Sequence, residues 1–156
     1  MAEKRMQVRE PLRLEQFMPP HHPILVACEK CRKCATLREF VFQRKPKTAI
    51  RRFGNCSCLH CGHQWMVPTG IHFFTSGPLW LQIPCHKNVL WILNQPHLEF
   101  MEQFIAADLR EERMSEMSSR RLSSALPRWL IAGKNRGDIV RCMKKLREKL
   151  ETTKLA

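Results

Sequence analysis

Six of the eight cysteines in this 156-residue chain fall between Cys28 and Cys61, in the order C-EK-C-RK-C, then 21 residues, then C-S-C-LH-C. No other feature restricts the fold as strongly. Two cysteines separated by two residues can aim both sulfurs at one ion across a tight turn, and a second pair from a facing hairpin completes a tetrahedron. Cys31-Arg32-Lys33-Cys34 and Cys58-Leu59-His60-Cys61 meet that need, with 23 residues between them for a hairpin. The expected ligands are therefore Cys31, Cys34, Cys58 and Cys61, holding one structural Zn2+. Surplus ligands leave alternates open. Cys28 forms its own C-x-x-C with Cys31, Cys56 precedes Cys58, and His63 follows Cys61. One ion is the simpler expectation than a second ion on Cys28, Cys56 and His60 or His63. Otherwise Cys28 and Cys56 are small buried residues or free thiols.

Clustered cysteines are metal ligands rather than disulfides where the compartment is reducing. The start, MAEKRMQVRE, is charged and lacks the apolar segment of an export signal. The most apolar region, Gly77 to Leu93, is interrupted by Pro84, His86 and Lys87 and does not suit a bilayer crossing. The expectation is a cytoplasmic protein, with nucleoid or nuclear association, and no membrane partner.

Residues 1–22 read as an extended basic arm ending in a Pro-rich run, with at most a short helix around Arg9 to Phe17. Short apolar or β-branched runs at 24–27, 37–43, 49–53 and 64–67 predict four strands around the cysteine pairs, the third ended by Gly54-Asn55. Ile71 to Phe74 suggests one more strand, and Val89 to Leu93 a short helix. From Pro96 the period becomes helical, with Leu98, Met101, Ile105 and Leu109 on one face. Leu122 to Leu126 is a helical scrap, and Pro127 opens another short helix. The last helix is the clearest: Asn135 suits its cap, and Ile139, Met143, Leu146 and Leu150 form a stripe. The chain thus divides into an arm at 1–22, a small antiparallel β domain at 23–76 and a compact helical region at 77–156, an α+β protein.

Cys58-Leu59-His60-Cys61-Gly62-His63-Gln64-Trp65 resembles the second knuckle of the zinc-ribbon family, where glycine follows the last ligand and an aromatic comes shortly after. Cys31 to Leu37 resembles the first. The resemblance covers about residues 24–67 and none of the helical half. It implies a metal and a small β fold that serves in nucleic-acid binding or protein docking, not one activity.

Charge narrows the partners. Lys and Arg outnumber Asp and Glu by 27 to 14, giving +13. Residues 28–66 hold nine basic and two acidic side chains, a net of +7, so a quarter of the chain carries over half the excess. Such an excess attracts a polyanion. Lys33, Arg44, Lys45, Lys47, Arg51 and Arg52 form a patch around the hairpin, and Arg141, Lys144 and Lys145 a second on the last helix. Phe40, Phe42, Phe53 and Trp65 are candidate stacking faces, although the mini-core is the preferred place for most of them. A helix-turn-helix around 127–138 is the alternative to a helical hairpin with a solvated basic face. Cys85 and Cys142 read as structural. With four thiolates closing the shell and no assembled acid, base or nucleophile, an enzyme is not expected. The expectation is a zinc-stabilised, regulatory or accessory protein that binds DNA or RNA. The rival is a docking module for an acidic protein surface.

Overall fold

The computed structural model describes residues 14–43, 51–70, 72–110, 128–131 and 133–155. Arg44, Lys45, Lys47, most of the arm and the scrap at 122–126 lie outside them. Strands β1 (Ile24–Ala27), β2 (Cys34–Gln43), β3 (Arg51–Ser57) and β4 (Gln64–Pro68) form one antiparallel sheet in the order β1-β2-β3-β4. The fold is α+β. Each cysteine knuckle is the turn of one hairpin: Ala27 pairs with Cys34 across the first, and Ser57 with Gln64 across the second. Because β2 runs away from the knuckles and β3 returns, both knuckles lie at the same end of the sheet.

Strand β3 continues through Gly54-Asn55, where the sequence suggested a stop. Gly54 lies against the buried Leu37, whose Cγ would be 2.7 Å from any added Cβ. Glycine here permits close strand-to-core approach rather than a turn. Next to it, Arg38 bulges between Leu37 and Glu39 and stays exposed.

Two short segments depart from expectation. Residues expected as a strand form the helix α1 (His72–Ser76), and residues expected as a helix form β6 (Asn88–Ile92), paired with β5 (Leu81–Cys85). A five-residue apolar run has no readable period. The β5–β6 turn is His86-Lys87, with His86 at φ 59°, where hairpin turns normally carry glycine. The region after residue 77 is therefore a hairpin followed by helices. These are α2 (Gln95–Arg110), the single turn α3 (Arg128–Ile131), a 3-10 turn at Gly133–Asn135, and α4 (Arg136–Leu155).

Strand β1 joins two cores. Ile24 and Val26 are fully buried with Ala35, Leu37, Cys56, Phe73 and Leu79, while Leu25 packs against the other cluster. That second core fills the space between β5–β6 and the helices, using Leu98, Met101 and Ile105 of α2 and the predicted stripe Ile139, Met143, Leu146 and Leu150 of α4. The free edge of β1 is covered as well. Ala27 N–H donates to Pro78 O, Trp80 N–H to Leu25 O, and Leu25 N–H to Leu93 O, all within 2.8–3.0 Å. An edge paired in this way cannot recruit foreign strands. Part of the arm is also packed: Leu14–Phe17 is a 3-10 turn, and Phe17 and Met18 are buried.

Candidate metal centre

The two knuckles have the same backbone. Cys28 N–H donates to Lys33 O at 2.8 Å, and Cys58 N–H to His63 O at 2.9 Å. Arg32 N–H returns to Cys28 O and Gly62 N–H to Cys58 O, at 3.0 and 2.9 Å. Arg32 and Gly62 both take positive φ, 64° and 72°. A strand begins six residues after the first cysteine of each turn, at Cys34 and at Gln64. Superposing one knuckle on the other therefore matches Cys28 with Cys58, Cys31 with Cys61, and Cys34 with a glutamine.

The sulfurs follow the same logic. Cys28, Cys31, Cys58 and Cys61 bring their Sγ atoms within 4.8 Å of one another, the one such group among the described residues. Cys28 Sγ lies 3.7 Å from Cys61 Sγ, and Cys31 Sγ 3.5 Å from Cys58 Sγ. A tetrahedral ion bound by sulfur at about 2.3 Å has sulfur–sulfur edges of about 3.8 Å. These four can hold a metal ion. The expected ligand Cys34 is not among them, and the alternate Cys28 takes its place. Cys34 has already entered β2, and its thiol is directed to Ala35 O at 3.8 Å.

Backbone amides favour thiolate at two of the four sulfurs. Burial pushes Cys28 up, but N–H groups of Cys31 and Lys30 and the Cys61 thiol outweigh it, drawing it to about 6. The Cys61 and His60 amides draw Cys58 down against its burial. At Cys31 the Lys33 amide is outweighed by burial and the neighbouring thiols, which together push it up to about 11. Without a cation, then, Cys28 and Cys58 favour the thiolate while Cys31 favours the thiol.

The other alternates stand apart. Cys56 faces the core, where burial pushes its thiol up to about 12. His63 stacks on Trp65 with centroids 5.2 Å apart and meets Glu29 of the other knuckle at 2.7 Å. Cys85 is buried, its thiol directed to Asp138 O, and burial with the nearby Cys142 pushes it up to about 12. His86 pairs with Asp138 at 3.2 Å. These contacts hold the first turn of α4 against the β5–β6 turn, and α3 is only one turn long. A groove-reading helix would need that end free.

The cationic residues separate into two kinds. Arg52 serves the sheet: its Nε and Nη2 donate to Thr69 Oγ1 and Thr69 O, and its guanidinium lies 4.3 Å from the Phe40 ring centroid. Arg141 pairs with Asp138. Lys33, Arg51, Lys144 and Lys145 are exposed. Of the candidate stacking faces, Phe42 is exposed, while Phe40, Phe53 and Trp65 are half-buried.

A cleft of about 460 Å³ opens beside the knuckles. It is lined by Lys33, Cys34 and His60 of the knuckle end, by Lys149, Thr152 and Thr153 of α4, and by Trp80. Burial pushes the Cys34 thiol up to about 11 and pulls the Lys149 ammonium below its usual range. Trp80 and the threonines carry no sequence pattern that marks them. No protein-family model, curated protein or solved structure matches the chain. Among the described residues, no helix is long and apolar enough to cross a membrane.

Proposed function

We propose that this chain is a non-catalytic, regulatory or accessory nucleic-acid-binding protein of zinc-ribbon type, stapled by one structural Zn2+ on Cys28, Cys31, Cys58 and Cys61. Four thiolates in a tetrahedron suit zinc, with iron the other ion that takes this donor set, and four protein ligands leave no open position for a substrate. The observation that carries the polyanion reading is the cleft. Lys33 of the first knuckle and Lys149 of the last helix line it together, and among the described residues no carboxylate does. One lysine from each basic stretch of the sequence thus lines the same cleft. Exposed Lys30 and Arg32 of the same knuckle and Lys145, one turn before Lys149, add charge near it, whereas Arg51, paired with Gln43, lies at the far end of the sheet.

Binding of generic DNA and RNA at increasing salt tests this reading. Affinity falls linearly on log scales, and Lys33→Gln lowers the slope by about 0.7–0.9. Absence of binding at low salt contradicts it. The second reading, docking on an acidic protein face, is favoured by Leu59, 84 % exposed at the tip of the second knuckle. A stable protein complex that survives nuclease and loses affinity in Leu59→Ser supports that alternative.

A further inference from the structure

The cleft beside the knuckles has a composition that bare phosphate capture does not need. We infer that it is a subsite for one nucleotide unit of a single strand, taking the base against Trp80 and the adjoining phosphate at Lys33 and Lys149. This inference rests on the nucleic-acid reading above and adds that the strand is single and that a base enters.

Three observations carry it. First, size: about 460 Å³ lies within the roughly 300–1,000 Å³ of small-ligand clefts. Second, the polar atom of Trp80 is already used. Its Nε1–H donates to Thr153 Oγ1 at 3.0 Å, so the indole offers the cleft no free donor, only the ring surface that Lys149 does not cover. Ring surface without a free donor suits stacking, which tolerates any base.

Third, the charge is asymmetric within the recess. Lys149 Nζ lies over one face of the Trp80 ring, 4.2 Å from its centroid, and donates to Trp80 O at 2.7 Å, which fixes the ammonium on that face. Lys33 lines the cleft from the first knuckle. Thr152 and Thr153 belong to the last turn of α4, where the helix carbonyls carry partial negative charge. Their hydroxyls donate to Glu148 O and Lys149 O, leaving mainly methyl groups for a ligand. An anion is therefore favoured between Lys33 and Lys149 and disfavoured at the helix end beyond them, where a base meets threonine methyl groups instead. The recess thus matches a group that is flat and apolar on one side and anionic on the other. Both lysine-bearing elements are held in place by tertiary structure: Lys33 closes the first knuckle by accepting the Cys28 N–H, and Arg147 of α4 bonds Glu102 of α2.

The test uses the full metal-loaded chain and fluorescence anisotropy of labelled oligothymidylate. Competitors are an abasic strand of the same length, a duplex hairpin with the same number of phosphates, and free thymidine monophosphate. The expected result is that the oligothymidylate binds about tenfold more tightly than the abasic strand or the duplex. Trp80→Leu removes that advantage. Thr152→Glu, an exposed helix position, weakens the oligothymidylate about tenfold with unchanged metal content and thermal midpoint, so the result does not depend on the tryptophan variant folding. Equal affinity for abasic, duplex and base-bearing strands, together with wild-type affinity in both variants, overturns the subsite while leaving nucleic-acid binding in place. No binding of any strand overturns both. Thymidine monophosphate binding without strand binding assigns the recess to a free nucleotide and overturns the single-strand occupant.

Discussion

Cys28 and Cys61 are 33 residues apart in sequence, yet their Sγ atoms lie 3.7 Å apart, and each belongs to a different hairpin. Cys31 and Cys58 form the second such pair at 3.5 Å. An ion at their centre cross-links the β1–β2 and β3–β4 hairpins and does more than stiffen one turn. Structural zinc is worth roughly 10–16 kcal/mol apparent in finger peptides. That matches or exceeds the whole stability of an ordinary domain, about 5–15 kcal/mol. Chelation should therefore unfold residues 24–68. Circular dichroism and limited proteolysis check this, and an unchanged spectrum with unchanged cleavage after verified metal removal contradicts it.

The knuckle turns predict opposite effects at equivalent positions. Arg32 holds a left-handed backbone that costs a side-chain-bearing residue roughly 1–2 kcal/mol. Arg32→Gly relieves this but adds freedom to the unfolded chain, for a net gain of about 0.5–1 kcal/mol. Gly62→Ala costs about 1 kcal/mol although a Cβ there meets nothing within 4 Å, because the penalty is in the backbone. Thermal unfolding of the metal-loaded chain gives both signs.

Burial of His97 makes stability depend on pH. The residue is 3 % exposed, its ring stacks on Phe17, and its Nδ1 accepts the Leu93 N–H at 3.1 Å. Burial pulls its pKa from 6.5 to about 4, so the folded chain favours the neutral ring. The stabilisation is complete above the unfolded value of 6.5 and is lost as pH falls from there to about 4, by about 3 kcal/mol in all. Urea midpoints across that window, wild type against His97→Gln, isolate this contribution from protonation of the thiolates. Parallel curves for the two proteins would show that His97 carries none of it.

Asn94 ties four segments together at one point. Its Nδ2 donates to Phe17 O at 2.6 Å and Pro23 O at 3.0 Å, and its Oδ1 caps α2 by accepting His97 N–H at 3.1 Å. Asn94→Ala leaves these partners without their bonds and costs about 2–4 kcal/mol. Asn94→Asp keeps the cap acceptor but loses both donated bonds. It is destabilised as well, whereas a residue that served only as a cap would tolerate it. Chemical denaturation of the two variants separates these cases.

The sheet was legible in the sequence because cysteine pairs and β-branched runs alternate, and the helices 95–110 and 136–155 because their apolar residues keep a 3.6 period over several turns. Residues 72–76 and 88–92 were not, since five apolar residues fit helix and strand equally and the β5–β6 turn uses His86 in place of glycine. The ligand set was half legible. Three cysteines in series, Cys28, Cys31 and Cys34, offer two C-x-x-C frames, and spacing alone favours neither. The deciding signal was the interval to the next strand: six residues after Cys58 comes Gln64, and six after Cys28 comes Cys34. The cleft could not be read, because Trp80 and Lys149 approach only through packing of α4 on the β5–β6 hairpin.

Zinc stoichiometry in two single variants, Cys28→Ser and Cys34→Ser, tests the ligand assignment most directly. Elemental analysis of the purified, dialysed proteins should find one zinc per chain in the wild type and in Cys34→Ser, and a large loss in Cys28→Ser. Full zinc in Cys28→Ser with loss in Cys34→Ser, or folded wild-type protein free of zinc, would contradict the account.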